Sequence, residues 1–525
     1  MITAKKEDAR GQTDSSLVTT ATGSPNDPPK EYLKPARAYS VMFFLTLVIF
    51  SSSITNGMIT TGLPTIASEI GIPPQTMYWP LAVYSLTAGT CLIAAGTVAD
   101  VVGTRRVFLT GTILLSAFTL GCSLSRTGLQ LTMFRAMQGV AMALCLPSSV
   151  GVICQAIAPG RLRNLAFACT GLGQPLGFSL GLILAGVFIQ TIGWRPGWYL
   201  VAGIFLLCFP AGFIILPPDR LVAPPSLRRL RTHVDWPGAA IASTCLAMLA
   251  VVLVQLSENQ DHIRDPAVIG MLAASLALIT AFLWWMHAAA ARGRPVLIPN
   301  GLWRRMTFSS VCGMVMMSYA VMQTLELYVT LFFQQVQGLD ALQSSVRLLP
   351  SLLIGAVLNL TVGLVMHRVS AMWLVFSSSL ACAGAPLLMA LIDPAWPYWY
   401  AAFPAQVLHP LSADVLFCVG LVTISKEFSD DTKALAGAVF NTMAQFGTSI
   451  GLAIIGIVAS SVTRASRFED KGSAAALFEG YKGAFWTSFG LTLATAALAL
   501  VGLRRVGCAD TGKEAEDCPR SGRTG

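Results

Sequence analysis

Long runs of apolar residues, separated by short polar segments, make up most of this chain. A helix needs about 20 consecutive apolar residues to cross the hydrocarbon core of a bilayer, and fourteen runs come close to that length. We therefore predict an all-α integral membrane protein with fourteen transmembrane helices. The predicted spans are 41–63, 79–99, 107–124, 128–152, 164–188, 196–216, 236–256, 267–287, 308–333, 345–366, 371–392, 397–424, 434–462 and 482–503.

The composition agrees with a chain that lies mostly in lipid. Of its 525 residues, 54% are hydrophobic and 12% are charged, whereas soluble domains carry about 25% charged residues. The net charge of +9 does not indicate nucleic-acid binding, because the basic residues lie in short loops and at the two ends of the chain. Ten of the twelve cysteines lie in apolar runs, without CxxC spacing, so we predict neither a metal site nor a cofactor.

Positive charge alternates between the two sides of the predicted membrane. With a cytosolic N-terminus, the inner segments contain 26 Lys and Arg residues and the outer segments contain eight. Loops with an excess of Lys and Arg stay in the cytosol. We therefore expect a multi-pass membrane protein with both termini in the cytosol, including a disordered tail at 1–38 and a second tail at 505–525. The plasma membrane is the expected location, and the vacuolar membrane is the alternative.

One glycine pattern occurs twice. Three glycines in the fifth span have the same spacing as three in the thirteenth, 270 positions later, and a glutamine precedes each set. The segment 363–368 is weakly similar to the turn at 96–100. Although chance spacing in a glycine-rich chain is the alternative, we predict two six-helix bundles, at 39–217 and 307–504, with linkers and two inserted helices at 218–306. Repeated halves that enclose a site at the membrane midplane are typical of transporters. The residues are Gly177, Gly181, Gly186, Gly447, Gly451 and Gly456, with Gln174 and Gln445.

A charged turn joins the second and third spans. Its acid, glycines and basic pair cannot lie in lipid, so we place the turn at the inner membrane surface. Asp100 can cap the turn, or it can hold an inner gate shut by meeting the positive N-terminus of a helix in the other half, which the repeat places at the thirteenth span. The predicted gating residues are Gly96, Asp100, Gly103, Arg105 and Arg106.

Two spans contain unusual residues. Arg135 lies about two turns into the fourth span, followed by Gln138 and Gly139. An arginine there must face protein or water, or extend to the surface. The fifth span has closely spaced small residues, which allow two helix backbones to touch, and a proline, which permits a bend. This predicted packing motif contains Gly173, Pro175, Gly177 and Gly181.

These motifs resemble those of the major facilitator superfamily. The turn at 96–106 is similar to that family's loop between helices 2 and 3, Arg135 to its span-4 motif, and 171–181 to the antiporter motif of its drug exporters. The segments 79–87, 193–195, 334–339 and 348–350 resemble the fourteen-span drug:proton antiporters, with fungal members most similar. The resemblance covers roughly 40–460 and implies a major facilitator fold, alternating access, and proton transfer that involves Arg135.

The chain departs from that family at one place that matters for proton coupling. The family often has an aspartate in the first span, and the aligned position is about Thr55. If protons drive this protein, another acid must carry them. Glu326 in the ninth span and Asp414 in the twelfth are the candidates, because an isolated ionised carboxylate is too costly in lipid and must be paired, hydrated or protonated. Each can instead be neutral and simply hydrogen-bonded to a neighbouring helix.

We predict proton-coupled efflux of hydrophobic or amphipathic small organic molecules, such as drugs or secondary metabolites, and no enzymatic activity. The alternative is an uptake carrier or an ion- or ammonium-type facilitator on the same scaffold. The expected partners are substrate, protons and lipid, and we expect a monomer that does not bind nucleic acid. Polar or aromatic residues within spans can line the substrate cavity, although core packing is their commoner role. These candidates are Asn56, Tyr84, Gln138, Gln174, Gln323, Asn441 and Gln445.

Overall fold

The computed structural model describes residues 32–504 except 74–75, 159, 220–227, 229, 231, 233, 259, 295, 297, 299, 366–368 and 429. Within these residues, fourteen segments have the length and composition of membrane spans, which confirms the predicted all-α membrane fold. The helices are α1 (Pro35–Ile70), α2 (Trp79–Val102), α3 (Thr104–Leu124), α4 (Gly128–Ala156), α5 (Arg161–Thr191), α6 (Arg195–Ile215), α7 (Trp236–Glu258), α8 (Pro266–Ala291), α9 (Met306–Leu331), α10 (Ala341–Val365), α11 (Ala371–Leu391), α12 (Ala402–Leu408), α13 (Leu411–Glu427), α14 (Asp430–Ala465) and α15 (Ala474–Gly502).

Some helix limits differ from the predicted ones. Helix α1 begins at Pro35, within the predicted tail 1–38, because a proline fits the first turn of a helix without the loss of a hydrogen bond. The predicted twelfth span is two helices, α12 and α13. They are separated at Pro410, which has no N–H to continue the helical pattern. Most of the two predicted tails lie outside the described residues. Residues 366–368, part of the segment that is weakly similar to the turn at 96–100, lie outside them as well.

The same helix pairs pack in each half of the chain. In the first half, α1 packs against α5 and α6, α2 against α4, and α3 against α6. In the second half, α9 packs against α14 and α15, α10 against α12 and α13, and α11 against α15. Helices α7 and α8 pack against each other, and α7 also contacts α2 and α14. The packing therefore follows the predicted repeat, while the exact limits of the two bundles remain a prediction.

The repeated glycines make equivalent contacts. A Cβ atom at Gly177 or Gly181 would lie 2.2 Å from the carbonyl oxygen of Phe50 or Ile54 on α1. In the second half, a Cβ atom at Gly447 would lie 2.0 Å from the carbonyl oxygen of Met316 on α9. Met316 follows Phe50 by 266 positions. These glycines thus let α5 and α14 touch the first helix of their own half, as expected for small residues between membrane helices.

The third glycine of each set faces the other half instead. A Cβ atom at Gly186 on α5 would lie 2.7 Å from the Cα atom of Leu342 on α10, and one at Gly456 on α14 would lie 2.6 Å from the ring of Tyr78, which precedes α2. The two halves accordingly meet along two seams, α5 with α10 and α2 with α14. Both contacts lie away from the side where α1 begins, and we call that side the N-terminal side and the opposite one the far side.

Candidate functional site

A cavity of about 240 Å³ lies between the two halves. Helices α1, α2, α4 and α5 contribute to one wall, and α9, α10, α13 and α14 to the other. Nine of its twenty lining residues are polar or acidic and the other eleven are apolar or aromatic, so the cavity can contact both the apolar and the polar parts of a small molecule. The predicted cavity residues on this lining are Asn56, Tyr84, Gln174, Gln323 and Gln445.

Two other predicted cavity residues lie elsewhere. Gln138 is fully buried, and its Nε2 atom donates to Thr119 Oγ1 at 2.8 Å. Asn441 donates through Nδ2 to the carbonyl oxygen of Gly437, one turn earlier on α14, at 2.9 Å. Neither side chain lines the central cavity, because the amide of each is engaged in packing within its own half.

The two intramembrane acids come together at this cavity. Glu326 on α9 is 6% exposed, and in the described part of the chain its carboxylate makes no hydrogen bond or ion pair. Asp414 on α13 lines the same cavity, and a Cβ atom at Gly355 on α10 would lie 2.7 Å from its Oδ2 atom. A glycine at position 355 therefore leaves room for the carboxylate of Asp414. Both acids belong to the second half of the chain.

His409 has a packing role beside these acids. Its ring is 4% exposed; Nε2 lies 3.0 Å from the carbonyl oxygen of Met322, and Nδ1 lies 2.8 Å from Ser351 Oγ. Since a carbonyl oxygen can only accept, Nε2 carries a proton and donates to Met322. The imidazole thus joins α9 and α10 to the break between α12 and α13, as polar side chains between membrane helices often do.

Arg135 sits behind the opposite wall of the cavity, in the first half. The side chain is fully buried. Its Nε atom donates to the carbonyl oxygen of Pro80 at 3.1 Å, and its two terminal nitrogens donate to Gln138 Oε1 and Asn56 Oδ1, each at 2.6 Å. Its guanidinium carbon lies 4.3 Å from the centre of the Tyr84 ring. The charge is stabilised by neutral acceptors and a ring face rather than by a carboxylate in the described residues.

This network occupies the region of the expected first-span aspartate. Thr55, at the aligned position, lies 3.4 Å through its Oγ1 atom from Gln138 Nε2. The next residue, Asn56, accepts from Arg135 and also lines the cavity. A neutral amide thus meets the buried guanidinium here. No carboxylate of the first half lines the central cavity within the described ranges.

The turn on the N-terminal side is fixed by a residue that the sequence reasoning missed. Gly103 has φ 115°, a conformation that favours glycine, and a Cβ atom there would lie 2.3 Å from Asp219 Oδ2. The carboxylate of Asp219 accepts from the backbone N–H of Arg105 at 2.7 Å and lies 3.8 Å from Arg106 Nε. This acid after α6 therefore caps the start of α3. Its position directly after two prolines was the only signal in the sequence.

The other predicted gating residues lie along α2 and α3. Gly96 faces Pro147 of α4, because a Cβ atom there would lie 3.6 Å from the Cβ atom of Pro147. Arg105 donates to the carbonyl oxygen of Phe213 at 2.5 Å, within its own half. Asp100 is exposed near the end of α2. Its contact with the N-terminus of α14 remains a prediction for a different state of the protein.

On the far side, hydrogen bonds close the space between the halves. Gln334 Nε2, just after α9, donates to the carbonyl oxygen of Thr61 on α1 at 3.0 Å. Ser345 Oγ on α10 donates to the carbonyl oxygen of Leu182 on α5 at 2.7 Å. Together with the contacts at Gly186 and Gly456, these bonds seal the far side, while Asp100 is exposed at the opposite end.

Replacing Gln334 by leucine should loosen this seal. The variant keeps the side-chain size but loses the hydrogen bond to Thr61, which is worth about 1 kcal/mol, so the population open on the far side should rise roughly fivefold. Hydrogen–deuterium exchange of 182–191 and 341–348 would measure it. Gln343→Leu, on an exposed side chain nearby, is the matched control. Equal exchange in both variants and the parent protein would show that this bond does not hold the seal.

The motif at 193–195 lies at the far end of the first half. Trp194 Nε1 donates to Glu69 Oε2 at 2.7 Å, and Arg195 forms an ion pair with the same carboxylate. A second nitrogen of Arg195 lies 3.3 Å from the carbonyl oxygen of Ser125. These contacts tie the ends of α1, α3 and α6 together, so the motif stabilises one bundle and does not touch the cavity.

Known proteins match this chain over most of its length. A "MFS-type transporter 1" of Pyricularia oryzae is 36% identical, over 90% of this chain and 84% of its own. "Efflux pump terJ" of Aspergillus terreus is 23% identical, over 90% and 89%. A "low affinity ammonium transporter" of Saccharomyces cerevisiae is 24% identical, over 79% and 78%.

Solved structures share the fold. The crystal structure of a bacterial homologue of the human lysosomal transporter Spinster, inward-facing and unoccupied, has a TM-score of 0.63 at 16% identity and covers 90% of this chain and 98% of its own. The family model described as Major Facilitator Superfamily matches residues 45–452. This match, together with the paired seams and the central cavity, shows that the chain belongs to the major facilitator superfamily of membrane transporters.

Proposed function

We propose that this transporter exports hydrophobic or amphipathic small organic molecules in exchange for protons, by alternating access between its two halves. The observation that carries this proposal is the central cavity, where Glu326 and Asp414 of one half face the neutral polar and aromatic wall of the other. Substrate and proton would thus be bound between the same moving halves, which is what coupling requires.

The cavity wall supports an organic substrate. Tyr84, Phe178 and Phe417 provide aromatic surface, and the side-chain amides of Gln174 and Gln445 add hydrogen-bond donors to the lining. We therefore propose a mainly apolar molecule with at least one hydrogen-bond acceptor.

The acids support proton coupling. A buried carboxylate without a cationic partner is costly when ionised, so Glu326 is stabilised by a proton or by water in the open cavity. Movement of the halves changes the access of water to both acids. We propose that Glu326 and Asp414 take up protons when the cavity faces outwards and release them when it faces the cytosol, with Arg135 fixing the opposite wall.

The direction of transport rests on two further arguments. The excess of Lys and Arg on the N-terminal side supports a cytosolic location for that side and both termini, and one relative is named an efflux pump. We propose the plasma membrane as the location and a monomer as the functional unit. When the cavity opens outwards, Asp100 would close the cytosolic side against the N-terminus of α14.

The ammonium-transporter relative favours a second candidate, a facilitator of a small cation. The size of the cavity argues against it. A volume of 240 Å³ equals about eight water molecules at roughly 30 Å³ each, whereas ammonium is close to the size of one. An organic molecule fits a cavity of this volume better than ammonium does. We therefore retain export of organic molecules as the better-supported function.

Transport in inside-out vesicles with an imposed pH gradient tests the proposal. Fluorescent planar cations and uncharged apolar dyes serve as probes. We expect gradient-dependent uptake by the native protein and at least a tenfold loss in both Glu326→Gln and Asp414→Asn, since each amide keeps the shape but cannot exchange a proton. Asp393→Asn, in an exposed far-side loop, is the matched control and should transport normally.

Each result separates the alternatives. Normal gradient-driven uptake in both acid variants would disprove their role in coupling. Uptake that persists after the gradient is dissipated would disprove antiport. Ammonium flux without dye transport would instead favour the facilitator.

A further inference from the structure

A second cavity lies at the far end of the seam between α2 and α14. It has a volume of about 540 Å³ and is bounded by the turn before α2, the ends of α9 and α14, the loop after α14 and the start of α15. Tyr78 lines it and also meets Gly456 of α14, so the cavity lies where the two halves touch. We call this space the far pocket. Its volume falls within the usual range for small-molecule sites, about 300–1,000 Å³.

The buried part of the far pocket is apolar and aromatic. Leu327 and Leu331 of α9 are 1% and 3% exposed, and Ala459 of α14 is also buried. The rings of Tyr328 and Tyr481 pack edge to face on the same wall, with their centres 5.4 Å apart. This surface suits an aromatic ring system, because aromatic rings pack favourably at such distances and angles.

Two cations and no acid line the far pocket in the described part of the chain. Arg464 lies at the end of α14, and Lys471 lies in the loop that follows. The Nζ atom of Lys471 donates to the carbonyl oxygen of Ser466 at 2.6 Å, and an ammonium has three protons to donate. Lys471 and its neighbour Gly472 are exposed, so the mouth of the far pocket opens to the aqueous phase.

The acids near this mouth do not cancel its positive charge. Asp470 Oδ1 accepts from the backbone N–H of Gly472 at 2.9 Å, and Glu479 Oε1 lies 3.9 Å from Arg467 Nε. Four basic and three acidic residues lie between positions 464 and 482, which leaves a net charge of +1. With only cations among the charged residues of the described lining, the mouth favours an anion.

From the aromatic wall and the cationic mouth we propose that the far pocket binds an amphipathic organic anion from the aqueous phase, namely an aromatic ring system with one carboxylate or sulfonate group. The rings pack against Tyr328 and Tyr481, and the anionic group meets Lys471 and Arg464. The occupant contacts Tyr78 of the first half and the helices of the second half at once. It therefore stabilises the state that is closed on the far side.

Equilibrium binding of radiolabelled naphthalene-2-sulfonate to the purified full-length protein tests this site. The measurement is made in a neutral detergent without a pH gradient, with empty micelles as the blank. We expect saturable binding that weakens as salt is added, and at least tenfold weaker binding of the uncharged naphthalene-2-methanol. Equal affinity for the two compounds would overturn the proposal.

Two basic residues of one loop provide matched variants at the mouth. Lys471 lines the far pocket, whereas Arg467 is exposed and does not line it. We expect Lys471→Gln to weaken sulfonate binding about tenfold, the usual effect of losing a hydrogen bond to a charged group. Lys471→Arg should stay within threefold of the parent protein, and Arg467→Gln within twofold. Equal losses in Lys471→Gln and Arg467→Gln would show a general effect of loop charge and would contradict a local site.

Two positions on α14 test the wall independently of charge. Ser460 lines the far pocket, whereas Ile454 is 47% exposed on the same helix. We expect Ser460→Phe, which fills the space, to weaken sulfonate binding at least tenfold, and Ile454→Phe to leave it within twofold of the parent protein. Binding at the parent affinity in Ser460→Phe would place the anion elsewhere.

Hydrogen–deuterium exchange tests whether the occupant bridges the halves. Saturating naphthalene-2-sulfonate should slow exchange in 76–80 of the first half and in 459–464 of the second, and protection of one half alone would contradict a bridging occupant. Displacement of the sulfonate by phosphatidylglycerol would assign the site to a lipid headgroup and overturn a ligand from the aqueous phase. Glu326→Gln should bind the sulfonate like the parent protein, so loss of proton coupling and loss of this site are separate results.

Discussion

Replacing Arg135 by lysine is expected to lower transport at least tenfold. The guanidinium reaches three acceptors at once, on Pro80, Gln138 and Asn56. A lysine ammonium is a single point on a flexible stem and cannot match this planar arrangement. Either Gln138 Oε1 or Asn56 Oδ1 would then remain unpaired in a buried place, at a cost of about 1–3 kcal/mol.

The effect on transport should exceed the effect on stability. Asn56 and Tyr84 both contact Arg135 and both line the central cavity. Loss of the guanidinium therefore frees two side chains of the substrate wall, even when the bundle stays folded. This separates Arg135 from a residue that only fills space in the core.

Transport in reconstituted vesicles and thermal unfolding in detergent, measured on the same preparations, check this expectation. Arg126→Lys, at an exposed arginine on the far side, is the matched control and should keep full transport. A lysine variant at position 135 that transports at the parent rate would show that the three-way contact is dispensable. Equal loss of transport in both variants would point to a general effect of the substitution.

The sequence was sufficient to predict the membrane spans, and its glycine spacing indicated a repeat. Fourteen apolar runs of suitable length can satisfy their backbone hydrogen bonds only as helices in lipid, so their number followed directly. The spacing of Gly177 and Gly181, repeated 270 positions later, predicted the related halves. The backbone atoms that these glycines approach, on Phe50 and Ile54, could not be predicted because spacing alone does not specify the partner helix.

The polar networks were harder to predict than the helices. A buried arginine must have polar partners, so the need for them was clear from Arg135 alone. The partners lie at distant positions in the chain and include the carbonyl oxygen of Pro80. Because every residue has a backbone carbonyl, the sequence cannot show which one accepts this hydrogen bond. The bond between the amide of Gln138 and Thr119 on α3 could not be predicted for the same reason.

Asp219 shows a different limit of the sequence reasoning. One acid in a polar linker has no period or motif that sets it apart, and its role depends on how α6 ends beside α3. Glu326 and Asp414 were easier to find, because a carboxylate within an apolar run is unusual wherever it occurs. Their position at one shared cavity could not be predicted from the sequence, because it depends on how α9 packs against α13.

Substituting alanine for Gly181 is expected to destabilise the protein and stop transport. A Cβ atom there would lie 2.2 Å from the carbonyl oxygen of Ile54, and Cβ atoms essentially never come within 3.0 Å of such an atom. Because the oxygen belongs to the backbone, helices α1 and α5 must move apart. Overpacking of this kind costs about 1–3 kcal/mol or more, which exceeds the gain of up to about 1 kcal/mol from better helix propensity.

The same change at Gly447 should have a similar effect, since its Cβ atom would lie 2.0 Å from the carbonyl oxygen of Met316. Gly203 is the matched control, because no atom lies within 4 Å of its added Cβ. We expect the apparent melting temperature in detergent to fall by about 1–3 °C in Gly181→Ala and Gly447→Ala, and to stay level or rise in Gly203→Ala. Helices α5 and α14 both line the central cavity, so their displacement would widen it in either half. If Gly181→Ala or Gly447→Ala melted and transported like Gly203→Ala, the close approach of these helix backbones would not be what holds each bundle together.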